Sequence, residues 1–83
     1  MDLDRVRAFL KVAELASFSR AAEQLGAPKS RVSQRVSALE AELGARLLHR
    51  TTRAVHLTPD GEQFAARARV LVEEADAVGA MFK

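Results

Sequence analysis

The sequence predicts a mainly α fold: a winged helix-turn-helix of three helices and a short β-hairpin wing, followed by a long fourth helix. Apolar residues recur at helical spacing in four segments, and only a Gly-Ala-Pro connection at residues 26–28 separates the second segment from the third. Two short β-type segments precede the fourth helical segment. We therefore predict a winged helix-turn-helix over residues 1–58 and a linker helix over residues 59–83.

The first helix is predicted over about residues 3–14, where apolar residues form one face and Asp2 and Asp4 complement the helix dipole at its start. The second helix is short. Ser19 is its predicted N-cap, and Gly26 ends it in the left-handed conformation that glycine tolerates.

The third helix is predicted to begin near Pro28, because proline suits the first helical turn, and to stop at Gly44. Its buried stripe is predicted to consist of Val32, Val36, Leu39 and Leu43. The tight turn before it is typical of a helix-turn-helix, although ordinary helical corners look similar.

Residues 47–50 and 54–57 are predicted to form the two strands of the wing, joined by the polar tip at residues 51–53. Thr58 is the predicted N-cap of the fourth helix, with Pro59 in its first position. A heptad seam then runs to the chain end through Phe64, Ala68, Leu71, Ala75, Val78 and Phe82. We expect this seam to dimerise with a second copy, and the alternative is that it folds back on the first helix.

The composition excludes several classes of protein. The 83 residues contain no cysteine, and His49 and His56 are too few for zinc, so no metal site is predicted. We find no catalytic triad, nucleotide-binding glycine loop or paired carboxylates, so we predict no enzyme, no catalytic residue and no cofactor. Acids at the N-terminus and the lack of a long apolar run predict a cytoplasmic protein without a membrane segment.

Positive charge is concentrated in the middle of the chain. The net charge is only +2, but residues 24–59 hold six basic and two acidic residues, and residues 60–83 are net acidic. The exposed face of the third helix is predicted to be small and polar at its centre and basic at its edges, which suits a helix that enters the major groove of DNA. The predicted DNA-binding residues are Lys29, Ser30, Arg31, Ser33, Gln34, Arg35, Ser37, Arg50 and Arg53.

Two residues of the wing have separate predicted roles. Arg53 at the tip is expected to enter the minor groove, where A·T-rich stretches concentrate negative potential. Arg50 is expected either to meet a phosphate or to brace the wing. For Arg53, a free surface arginine is the alternative.

Several motifs together carry a family resemblance. They are residues 18–26 (FSRAAEQLG), Val32-Ser33, Leu39-Glu40, residues 43–48 (LGARLL), residues 50–53 (RTTR) and residues 57–61 (LTPDG). In this order they resemble the N-terminal domain of LysR-type transcriptional regulators over essentially the whole chain.

The resemblance implies a bacterial regulator that binds promoter DNA at imperfect palindromes of the T-N11-A kind. It also implies a homodimer through the linker helix, or a tetramer in the full-length protein. A C-terminal domain that binds a small-molecule effector normally follows, so we expect this chain to be a truncated DNA-binding fragment.

In the family, five positions of this domain contact bases and phosphates of DNA. The resemblance implies the same role here for Lys29, Ser30, Ser33, Gln34 and Arg53. The family often has Gln-Pro in place of Lys29-Ser30 and Arg in place of Gln34. Glutamine shifts the expected preference from guanine or phosphate towards adenine.

Two other functions remain as alternatives. The chain could be a helical protein-interaction module without sequence-specific DNA readout, in which the heptad helix is the functional part. It could also be an amphipathic membrane-surface peptide, although the acidic last helix argues against anionic lipid.

Overall fold

The computed structural model describes residues 1–51 and 53–83, so Thr52 of the predicted wing tip lies outside the described residues. The elements follow in the order α1 (Leu3–Leu15), α2 (Phe18–Leu25), α3 (Lys29–Leu43), β1 (Leu48–Arg50), β2 (Val55–Leu57) and α4 (Pro59–Gly79). The predicted fold class, a winged helix-turn-helix followed by a long helix, is confirmed.

The N-cap of α2 is Ser17, and the prediction of Ser19 was wrong. Ser17 has an extended backbone, and its hydroxyl accepts a hydrogen bond from the Arg20 N–H at 3.1 Å. Ser19 lies inside the first turn, where its backbone is already helical. An N-cap must have a non-helical backbone, and this requirement selects Ser17.

The turn between α2 and α3 has the predicted geometry at Gly26, whose φ of 64° is left-handed. Pro28 is extended and precedes the helix as its N-cap residue, so α3 begins at Lys29 rather than at the proline. Gly44, with φ of 65°, ends α3 as expected. The two helices are thus joined by a three-residue connection that orients α3 across α1 and α2.

The core lies between α1, α3 and the first half of α4. Phe9 is fully buried, and its ring meets that of Phe64 edge to face at a centroid distance of 5.6 Å. Val32, Val36 and Leu39 of α3 are fully buried, as predicted. The prediction that Leu43 belongs to the buried stripe was wrong, because this side chain is 38% exposed. It lies on the rim of a groove that it forms with Leu47 and Phe64.

The wing is a two-stranded antiparallel sheet in which His49 pairs with His56. Its turn is closed by Thr51, whose hydroxyl accepts from the Ala54 N–H at 3.0 Å and whose own N–H donates to the Ala54 carbonyl at 2.9 Å. A threonine side chain therefore supplies the closure that an Asn-Gly turn would give. Over residues 1–51 and 53–83, no three potential metal ligands come together.

Thr58 caps α4 as predicted. Its hydroxyl accepts from the Gly61 N–H at 2.9 Å and donates to the Arg46 carbonyl at 2.6 Å. Gly61 then packs so closely against the Leu47 carbonyl that a Cβ atom at that position would overlap it. The start of α4 is thereby locked to the segment that leads into β1.

The predicted seam of α4 is divided between two environments. Phe64 and Ala68 pack into the protomer's own core, and Ala68 is only 3% exposed. Leu71, Val78 and Phe82 are exposed, whereas Ala75 is half-buried. The expectation that the whole seam dimerises with a second copy was therefore wrong for its first half, which the protomer's own core covers. The apolar residues of α4 therefore lie on two faces of the helix: one face packs into the protomer's core, and the other is exposed.

The second half of α4 is tied to α1 by an ion pair between Arg7 and Asp76 at 2.9 Å. The hydrogen bond from Arg7 to Asp76 raises the pKa of the guanidinium above its ordinary value. The helix ends at Gly79, three residues before the last seam position. None of the helices in the described part of the chain is long and apolar enough to cross a membrane.

Candidate nucleic-acid interface

The outward side of α3 forms a small polar surface, which we call the recognition face: Ser30, Ser33, Gln34 and Ser37. Ser30, Gln34 and Ser37 are exposed, and Ser33 is half-buried at the margin. They lie opposite the buried Val32 and Val36, because the helix advances about 100° per residue. Short side chains at these positions leave the helix backbone accessible to a groove of nucleic acid.

Four cations surround the recognition face: Lys29, Arg31, Arg35 and Arg53. Lys29, Arg31 and Arg53 are exposed, and Arg35 is half-buried. Within residues 1–51 and 53–83, none of the four forms an ion pair, whereas cations on α1 are paired with acids. Their charge is thus not neutralised by the protein and can be used by an anionic partner.

The start of α3 and the wing tip face a common polar cleft. It is lined by Lys29 from α3, by Arg53 and Thr51 from the wing, and by Ser17 and Ser19 at the start of α2. Two of the predicted DNA-binding residues, Lys29 and Arg53, are 24 positions apart in the chain and are brought to one side of the domain by the fold.

Arg50 is positioned differently from the other cations, because its side chain turns inward across α3. Its guanidinium donates to the Ser33 hydroxyl at 3.1 Å and to the Ser37 hydroxyl at 3.4 Å. The same group lies 4.5 Å from the centre of the Phe18 ring. Of the two roles considered for Arg50, the structure shows the brace between wing and helix.

Glu40 completes this brace and was not among the predicted site residues. It is only 8% exposed, and one carboxylate oxygen accepts from the N–H groups of Leu47 and Leu48 at 2.8 and 3.2 Å. The other oxygen lies 3.7 Å from Arg50 and 3.9 Å from Arg46. A buried acid with two backbone donors and two cations holds the wing to α3.

The sequence carried a weak signal for Glu40. An isolated acid on the buried side of a helix, one position after Leu39, marks a polar group that needs partners. Its partners lie seven and eight residues further along the chain, beyond any helical contact, so only the fold could identify them.

Comparison with protein families gives a match to the model described as bacterial regulatory helix-turn-helix protein, lysR family, over residues 3–62. An HTH-type transcriptional repressor of Pseudomonas aeruginosa is 49% identical over 81 residues, which are 98% of this chain and 26% of that protein. Regulator CrgA of Neisseria meningitidis is 46% identical, over 86% of this chain and 24% of its own. The chain spans about a quarter of the length of these two curated relatives.

Solved structures agree with the family match. The DNA-binding domain of BenM in complex with catB site 1 DNA has a TM-score of 0.93 at 36% identity, covering 99% of this chain and 91% of that chain. Full-length CbnR complexed with its target DNA has a TM-score of 0.91 at 34% identity, covering 95% of this chain and 27% of that chain. Two proteins that share this fold have therefore been solved on DNA.

Proposed function

The chain belongs to the LysR family of bacterial helix-turn-helix regulators and is a DNA-binding domain of a transcriptional regulator, and we propose that it binds promoter DNA sequence-specifically as a homodimer. The relatives are transcriptional regulators, which implies a role other than catalysis. The observation that carries the proposal is the small polar recognition face of α3, surrounded by cations that have no acidic partner in the described part of the chain.

In this proposal α3 lies in the major groove. Gln34 at the centre of the recognition face pairs with N6 and N7 of an adenine, and Ser30 and Ser33 contact neighbouring base edges. Arg31 and Arg35 at the edges neutralise phosphates and hold the helix in register. The exposure of Gln34, Ser30 and Arg31 and the lack of an acid between residues 24 and 39 support the arrangement.

The wing contributes a second contact in the proposal. Arg53 enters the minor groove beside the region read by α3, where a narrow A·T-rich groove attracts arginine. Lys29 lies across the cleft from Arg53. It neutralises a phosphate of the DNA strand that runs between the two grooves. The shared cleft that these two cations line supports a common strand as their target.

Sites selected from random DNA test this function directly. Wild-type binding to a selected duplex is expected to fall with salt at a log–log slope of about −0.9 per neutralised phosphate. Gln34→Ala is expected to cost about 1–3 kcal/mol on that duplex and to relax preference at one base pair. Gln24→Ala, an exposed glutamine outside the recognition face, is the matched control. A flat salt response contradicts the proposal and favours a protein-interaction module.

Dimerisation is proposed through the outer face of α4. Val70 and Leu71 are 65% and 41% exposed and lie in a shallow apolar groove with Arg67 and Glu74. Arg67 and Glu74 are seven residues apart, which is two helical turns, so they flank the apolar pair symmetrically. A two-fold axis between Val70 and Leu71 brings each Arg67 to the Glu74 of the other copy in an antiparallel pair.

Charge exchange tests this dimer. Arg67→Glu and Glu74→Arg are each expected to weaken self-association in sedimentation, and their combination is expected to restore it. Arg69→Glu, an exposed arginine on another side of α4, is the control and is expected to leave the dimer intact. Leu71→Asp is expected to give monomers. An intact dimer in Leu71→Asp contradicts the outer face as the interface.

A two-fold dimer presents two copies of α3, which fits an imperfect palindrome of the T-N11-A kind. The small-molecule effector and the tetramer that the family resemblance implies concern the longer regulators, and for this chain they stay predictions.

A further inference from the structure

Arg50 lies where α2, α3 and β1 meet, and its contacts are those of a positioning residue. Its side chain is 28% exposed, with Phe18 beneath the guanidinium plane and the Glu40 carboxylate 3.7 Å from one nitrogen. Glu40 is itself held by two backbone N–H groups. The guanidinium is thus fixed before any partner arrives.

The serine hydroxyls of the recognition face receive hydrogen bonds from this fixed cation. Ser33 accepts at 3.1 Å and Ser37 at 3.4 Å. A hydroxyl has one hydrogen and two lone pairs, and a cation at one lone pair turns the hydrogen away from itself. Over residues 1–51 and 53–83, neither serine donates its hydrogen to a protein acceptor, so both hydrogens are available to a partner.

We propose that Arg50 sets the hydrogen-bonding polarity of the recognition face, so that Ser33 presents a donor to DNA. The inference rests on the proposed function and adds which base edges the face selects. A hydroxyl donor favours base acceptors in the major groove, namely O6 and N7 of guanine, N7 of adenine and O4 of thymine. It disfavours cytosine, which presents an amino donor at the same edge.

The geometry separates this role from a direct phosphate contact. A phosphate-binding arginine keeps its donors towards solvent, as the exposed Arg31 does. Arg50 instead directs both terminal nitrogens to partners inside the domain, since one bonds Ser33 and the other lies between Ser37 and Glu40. Ser33 is the stronger of the two serine contacts, so it carries the expected effect.

A double-mutant cycle between Ser33 and Arg50 tests the inference on duplexes that carry each of the four bases at the position read by Ser33. Ser33→Ala is expected to reduce preference at that base pair by about fivefold, the low end of discrimination by one side chain. Arg50→Met, which keeps the apolar stem over Phe18, is expected to reduce the same preference equally. The double variant is expected to lose no more than either single variant.

Arg50→Lys keeps a cationic donor and is expected to retain the preference, so the inference stays testable even where Arg50→Met unfolds. Additive losses in the double variant overturn the inference. An equal loss on all duplexes with a salt slope reduced by about one overturns it too, because it identifies Arg50 as a phosphate contact. Failure of the proposed function appears differently: the wild-type protein then shows no salt-dependent binding to any duplex.

Discussion

Replacing Glu40 by alanine is the change that most directly tests how the wing is held to α3. The carboxylate accepts hydrogen bonds from the Leu47 and Leu48 N–H groups at 2.8 and 3.2 Å, and both leucines are only 1% exposed. Glu40→Ala leaves two buried donors without an acceptor. Each unsatisfied group costs about 1–3 kcal/mol, so we expect a loss of about 2–6 kcal/mol in the free energy of unfolding.

That loss is large for a domain of this size. Stabilities run at about 0.05–0.15 kcal/mol per residue, and a 60–100-residue domain loses about 4–8 °C of Tm per kcal/mol. We therefore expect Glu40→Ala to lower Tm by at least about 8 °C. Thermal unfolding followed by circular dichroism at matched protein concentration measures it, because dimerisation makes Tm depend on concentration.

Glu42→Ala on the same helix is the matched control. Glu42 is an exposed acid, and its contacts are surface ion pairs with Arg5 at 3.8 Å and with the N-terminal amine at 3.6 Å. The change in helix propensity is the same as at position 40, and a surface pair is worth about 0–1 kcal/mol. Glu40→Gln keeps an oxygen acceptor and is expected to fall between the two. Equal Tm values for Glu40→Ala and Glu42→Ala would refute the argument.

Three further outcomes follow from contacts around the start of α4. Gly61→Ala is expected to cost about 1–3 kcal/mol of unfolding free energy, because its methyl group overlaps the Leu47 carbonyl. Gly79→Ala, with open space at that position, is expected to be neutral or to gain about 0.5–1 kcal/mol. Thr58→Val is expected to cost about 1–2 kcal/mol through loss of the N-cap, whereas Thr58→Ser keeps the hydroxyl and most of the stability. Urea unfolding measures all three, and equal effects of the two glycine changes would contradict the close approach at Gly61.

The elements of the domain were predictable because local rules determine them. Gly26 and Gly44 end helices in the left-handed conformation, and Thr58 caps α4, each where the sequence indicated. The prediction of the N-cap of α2 was wrong because two serines flank Phe18. The choice between them depends on which one keeps an extended backbone. In the structure Ser17 keeps the extended backbone, and Phe18 beside it packs against the core.

Some residues of the candidate site were likewise predictable from the sequence, and others were not. Gln34 and Ser30 were predictable as an exposed polar face, because helical periodicity places them opposite Val32 and Val36. The inward turn of Arg50 was not, since nothing local distinguishes it from other arginines of the basic block. Its partners come from α2 and α3 and lie ten or more residues away in the chain.

By itself the sequence determined the four helices, the wing, the recognition face and the concentration of positive charge, because spacing, caps and charge act over a few residues. Only the tertiary structure decided which groups meet. It buried Glu40 against the wing, turned Arg50 onto the serines, and divided the seam of α4 so that Ala68 joined the protomer's core while Leu71 stayed exposed. The physical reason is that burial and ion pairing depend on distances between elements, and helical period alone leaves those distances open.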